Sequence, residues 1–282
     1  MKRRVTGGFS VLELLVGITI SLSLFAGLLS TFLNTTRRGY DNETVNRADE
    51  QARTILDFIA FDLRMAGAGM PLGQSSFAIG DAALGDAPLP VLLSASNDFV
   101  QFRVNELGRD AMLTANYAPS STNLTFGVSS VVPFAVGDTI YMSSMPVGAT
   151  SGLRGTVSAV GASTLTIQPD YVATAGGVFE AGSVVAPVRL LTYQSTADWA
   201  GIIRDNGVEE SLVAFNSIMS LSYRNAAGTE IVLPLTEAAV RDNLTSVQLT
   251  ISVRGERRLA SGNEYIATAE QRIMLRNLML SR

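Results

Sequence analysis

Cysteine and histidine are both absent from this 282-residue chain, and its only lysine is Lys2. Without cysteine there is no disulfide staple and no thiol chemistry. Without histidine there is no Ser-His-Asp or Cys-His relay, and the commonest zinc ligand is missing. A single lysine in the basic head leaves no lysine Schiff base or lysine general base in the rest of the chain. The carboxylates form no evident catalytic pair, so the sequence points away from an enzyme and implies no cofactor and no metal. A glycine series, Gly67-x-Gly69-x-x-x-Gly73, follows a helical pattern rather than a strand and has the wrong spacing for a nucleotide loop. Charged residues are scarce as well, at 16%, with a net charge of −4. Nothing resembles a basic stripe, which argues against a nucleic-acid partner.

What the chain does have is concentrated at its start. Lys2, Arg3 and Arg4 form a short basic head, followed by Gly7-Gly8 and an apolar run from Phe9 to Leu33 broken by one charge, Glu13. The run exceeds the roughly 20 residues a helix needs to cross a bilayer, and the basic head predicts that the N-terminus stays in the cytoplasm. A carboxylate near the end of such a span is disfavoured unless it is paired. An ordinary secretory signal places its small residues after the apolar core. Here Gly7 and Gly8 precede it, so a cut there would remove the basic head and keep the apolar helix, lowering the net charge from −4 to −7.

Gly8-Phe9-Ser10-Val11-Leu12-Glu13 followed by Leu14-Leu15-Val16-Gly17-Ile18 resembles the processing motif of type IV prepilins and pseudopilins. The resemblance implies cleavage between Gly8 and Phe9 by a membrane aspartyl prepilin peptidase and N-methylation of Phe9. It also implies an assembly role for Glu13, whose carboxylate would pair with the new N-terminal amine of a neighbouring subunit. The other reading is a signal anchor with Glu13 near the interface. The absence of cysteine departs from the many major pilins that carry a C-terminal disulfide loop.

Beyond the apolar run, Val45, Ala48, Ala52, Ile55, Ile59, Leu63 and Ala66 recur at three- and four-residue steps, opposite Arg47, Asp49, Glu50, Arg53, Asp57 and Arg64. This is one face of an amphipathic helix. A single helix over 9–66 would reach about 87 Å. Gly17, Gly27 and Gly39 would permit local bending, or serve as small packing positions. Gly67-Ala68-Gly69-Met70-Pro71 ends the pattern.

The remainder, 67–282, reads as a β-rich head. Strands are expected at Phe99–Val104, Leu124–Val128 and, after a turn, within Gly137–Met142. Thr156–Val160 and Thr164–Ile167 around Gly161-Ala162-Ser163 form a hairpin pattern, and residues near 130–190 read as a possible small β subdomain. A second group follows at Val184–Tyr193, Ser211–Phe215, Met219–Arg224, Leu244–Arg254 and Ala267–Leu278, with Asn225-Ala226-Ala227-Gly228 as a hairpin connection. Ser246–Val253 alternates polar and apolar, so its apolar face should cover the long helix. The expected fold class is α+β, a long N-terminal helix packed on an antiparallel head.

Within the superfamily, Gln51–Gly67, Val213-Ala214-Phe215-x-x-Ile218, the Val247–Val253 strand and Gln271–Asn277 resemble minor pilins of the PilW type. The related J-type pseudopilins of type II secretion share the helix pattern. The resemblance implies a structural subunit of pilus assembly, partnered by other major and minor pilins, the prepilin peptidase, an assembly platform with its ATPase, and the inner membrane. It implies a precursor in the bacterial inner membrane with its head in the periplasm, then a fibre at the cell surface. Two alternatives stay open: a secretion pseudopilin, and a membrane-tethered binding protein. For the latter, Asp41, Glu43, Asp81 and Asp86 are conceivable calcium ligands without EF-hand spacing, or solvated charges. Trp199 and Tyr171 are conceivable adhesive aromatics of the head, or packing residues.

Overall fold

Ser10 starts the first element. Its backbone is extended (φ −67°, ψ 141°), its hydroxyl accepts from the Leu12 N–H, and its carbonyl accepts from the N–H groups of Glu13 and Leu14. This is an N-cap. The helix that follows, α1 (Val11–Arg64), runs 54 residues without interruption, about 81 Å by helical rise. It passes through Gly17, Gly27 and Gly39 unbroken. It ends two residues short of the expected Ala66. Gly67 adopts φ 81° and gives its N–H to Arg103 O at 2.7 Å, passing the chain from helix to sheet. Gly69 (φ 82°) has no alternative, because a Cβ there would sit 2.8 Å from the Asn105 Cβ. The computed structural model describes residues 10–69, 92–106, 108–120, 124–143, 152–172, 178–233, 235 and 244–275.

Among these residues all strand pairing is antiparallel, in two sheets. The smaller consists of β11 (Ser217–Asn225), β12 (Leu244–Arg254) and β13 (Ile266–Met274), with Leu221, Leu249 and Gln271 in register across it. Val247, Leu249, Ile251 and Val253 are all fully buried, as the alternation predicts. They share one core with Ala48, Ala52, Ile55, Leu56, Ile59, Ala60 and Leu63 of α1. From Ala48 to Ala66 the expected stripe is therefore the buried one, widened by Leu56 and Ala60, while Val45 is only half-buried. The fold is α+β, with a long apolar N-terminal helix and antiparallel sheets.

The larger sheet takes β1 (Leu92–Ala95), β2 (Phe99–Val104), β3 (Ala111–Met112), β4 (Thr125–Gly127), β5 (Thr139–Ser143), β6 (Gly152–Val160), β7 (Thr164–Val172), β8 (Val184–Ser195), β9 (Ile202–Asp205) and β10 (Glu210–Ala214). Its path is β1-β2-β8-β5-β6-β7-β4, with β3 and β9 also on β8 and β10 on β9. β8 is the hub. Residues 189–194 pair with β2 and residues 184–188 with β5. Leu191 and Tyr193 thus enter the core under α1, while Val185 enters a second core with Phe126, Phe134, Ile140, Met142, Leu165, Ile167 and Phe179. Asp138 and Arg189 pair at 3.2 Å where the two cores meet along β8.

One sequence expectation changes here. The second β group divides: Val184–Tyr193 and Ser211–Phe215 join the larger sheet, and only the later members form the sheet under α1. The β9–β10 hairpin was not anticipated, although Asn206-Gly207 is a strong hairpin signal. Its turn is held by the Asn206 side-chain oxygen, which accepts from the N–H groups of Val208 and Glu209. The last strand stops at Met274, and the expected residues 276–278 lie outside the described part.

Candidate functional site

The first candidate surface is the outer half of α1. From Val11 to Leu33 every residue is exposed, Val11, Leu12, Phe25, Leu28 and Phe32 among them. Among the described residues α1 is the one helix long and apolar enough to cross a membrane. Its hydroxyl groups suit that environment. Thr19, Ser23, Thr31 and Thr35 donate to carbonyls three or four residues earlier on the same helix, at 2.8–3.0 Å. No hydroxyl among these four needs water or an outside partner, as hydrocarbon demands.

Glu13 lies in the first turn, where the helix dipole favours an anion. It shares a shallow groove with Gly17 and Ser21, flanked by Leu14, Ile18, Leu22 and Phe25. The steps 13, 17 and 21 put a carboxylate at the head of a row of small side chains. Among the described residues nothing stands within 4 Å of where a Gly17 Cβ would be. A second helix could approach closely along that row. Gly8 and Phe9, the other two site residues expected from sequence, lie outside the described part.

The second candidate region fastens α1 to the head. At the far end of the helix, Asp62 Oδ2 accepts from the Tyr193 hydroxyl at 2.5 Å and from Arg204 Nε at 3.1 Å. Arg204 Nη2 donates to Glu106 Oε1 at 2.6 Å, and the guanidinium also lies over the Phe58 ring, 5.9 Å from its centre. Four elements meet here: α1, β8, β9 and the loop after β2. Burial, then the Asp62 charge and hydrogen bond, raise the Tyr193 pKa far above the tyrosine range, so the phenol stays protonated. Burial alone would lower the Arg204 pKa, but Glu106, Tyr193 and Asp62 outweigh it and leave the guanidinium more firmly charged. Such a set positions one element against another. Sequence reasoning passed over Arg204 and Tyr193, because their partner lies more than 130 residues away.

Nearer the apolar half, Tyr265 donates to Asp49 at 2.9 Å, which raises the Tyr265 pKa, and Asp41 accepts from the Ala260 N–H at 2.9 Å. Asp41 thus caps a loop, and Glu43 pairs with Arg47 at 2.6 Å. Asp81 and Asp86 lie outside the described part. Among the described residues no three acidic side chains gather to hold a metal. Trp199 is half-buried, with Arg254 stacked 4.8 Å from its ring centre, and the Tyr171 side chain is outside the described part. Compared with known protein families, curated proteins and solved structures, the chain matches none.

Proposed function

We propose that the chain is a minor subunit of a type IV pilus, made as a membrane precursor and cut between Gly8 and Phe9. One observation supports this reading above the others. A single unbroken helix carries a wholly exposed apolar half headed by one carboxylate and a half that buries one stripe against the head. A simple tether has no use for Glu13, which is costly in hydrocarbon unless a cation meets it. The amine released at Phe9 by cleavage is that cation. The Glu13-Gly17-Ser21 row offers a neighbouring helix close approach. Pairing between Glu13 and the amine of the next subunit, with helix packing along the row, would hold subunits as they leave the membrane for a fibre.

The test is mass spectrometry of the N-terminus of protein from its native host, beside strains carrying Gly8→Ala and Glu13→Ala. The expected mature chain begins at N-methylated Phe9, and both strains lose fibres. An intact Met1, or a start beyond residue 25, overturns the reading. Normal processing with intact fibres but lost secretion would assign the chain to a secretion pseudopilus instead.

A further inference from the structure

We propose that the base of the head docks on anionic phospholipid headgroups of the bilayer that holds α1. The proposal rests on the membrane reading of Val11–Leu33, though not on pilus assembly.

The loop after β12 brings a second set of cations to the helix just where it leaves its apolar half. Asp41 is eight residues beyond Leu33, about 12 Å along the axis, and it accepts from the Ala260 N–H of that loop. Arg47 lies 3.9 Å from Glu256 of the same loop. The loop is therefore held beside the helix exit. The headgroup layer extends roughly 5–8 Å past the hydrocarbon, so the loop stands within about one Debye length of it.

The charge there has the opposite sign to the chain as a whole. Residues 34–47 and 254–264 hold six arginines and four carboxylates, on a chain of net charge −4. The carboxylates are partly committed. Glu43 and Glu256 both face Arg47, and Glu264 is shared by Arg254 and Arg258. Arg37, Arg38 and Arg257 are exposed and pair with no carboxylate among the described residues. Arg37 and Arg38 lie on α1, four and five residues past Leu33. Arg257 lines a cleft of about 180 Å³ between α1 and the loop, together with Arg47 and Arg254 and the two carboxylates that face Arg47, Glu43 and Glu256. Unpaired guanidinium groups flanking a helix exit match phosphate in both charge and donor geometry. Each arginine near an anionic surface contributes about fivefold to binding. Docking would limit the swing of the head about the helix.

Because the chain has no cysteine, Ser261→Cys in the exposed loop takes one fluorescent label. The full-length labelled chain is reconstituted into phosphatidylcholine vesicles with or without phosphatidylglycerol, each carrying a headgroup nitroxide quencher. Quenching is expected to be stronger with phosphatidylglycerol, to fall at high salt, and to require Arg257 and Arg258. Arg257→Glu with Arg258→Glu should weaken docking by at least thirtyfold, and Arg257→Gln alone by about fivefold. Equal quenching in both vesicle types, or no response to either variant, overturns headgroup docking and leaves the membrane reading intact. Loss of the protein from vesicles on alkaline washing overturns the membrane reading itself, and the proposal with it.

Discussion

Residues 11–33 and 48–63 of α1 share one continuous helix and meet opposite surroundings. In the first stretch every side chain is exposed, with leucine, isoleucine, valine and phenylalanine on all sides. In the second, apolar contact is confined mainly to a stripe from Ala48 to Leu63 that lies on β12 and β13, and Arg53, Asp57 and Arg64 face out. The small residues in that stripe, Ala48, Ala52 and Ala60, bring the helix axis near the sheet, while Ile55, Ile59 and Leu63 fill the space between. The same backbone thus does two jobs, because the width of the apolar surface changes along it. An apolar surface that surrounds the helix calls for lipid or other helices. A stripe calls for one sheet.

The sharpest way to break the comparison is at the far end of the buried half. Arg204→Ala leaves the Asp62 and Glu106 carboxylates without the cation between them. A loss of about 3–5 kcal/mol is expected, since removing one member of a buried ion pair strands the others. A denaturant titration of the full chain in detergent reads it, and a loss below about 1 kcal/mol would show that the cluster does not fasten helix to head. Leu63→Ala, at a position with no exposed surface, should cost about 2–5 kcal/mol through lost burial and the cavity left. The same titration measures it.

A pH series separates the buried phenols from the rest. Tyr193 and Tyr223 both have folded pKa values raised above the usual 10.0, each chiefly by burial. The protonated phenol is therefore the form the fold favours. Its contribution is fully present below about pH 10 and is lost as pH rises further, because the unfolded chain then releases protons that the native state keeps. Stability should stay level to about pH 10 from these groups, then fall by about 1.4 kcal/mol per pH unit for each tyrosine. Tyr193→Phe should reduce that slope, as followed by circular dichroism melts. The smallest effect belongs to the exposed half. Leu22→Ala should change head stability by less than about 0.5 kcal/mol, and a larger change in detergent would mean that this half packs on the head after all.

Much of this architecture is local in origin and was legible for that reason. The Val45–Ala66 periodicity, the glycines after the helix, the Thr156–Ile167 hairpin and the alternation of Ser246–Val253 each depend on neighbours a few residues apart. The Asn206-Gly207 turn was equally local but easy to miss, because the strands it joins are four and five residues long. What each strand pairs with was not legible. Val184–Tyr193 reads like Leu244–Arg254 in composition, yet it becomes the hub of the larger sheet and feeds two cores.

By itself the sequence determined that this chain has a long apolar helix with one carboxylate near its start, an amphipathic continuation, a β-rich remainder, and no thiol or imidazole chemistry. These follow from residue identity and short-range period alone. Only the tertiary structure decided that Asp62, Glu106, Tyr193 and Arg204 form one cluster, or that Arg254, Arg257 and Arg258 stand beside the helix exit. Those groupings depend on sheet pairing across more than a hundred residues, where contact is set by the packing of whole faces and not by any spacing in the chain.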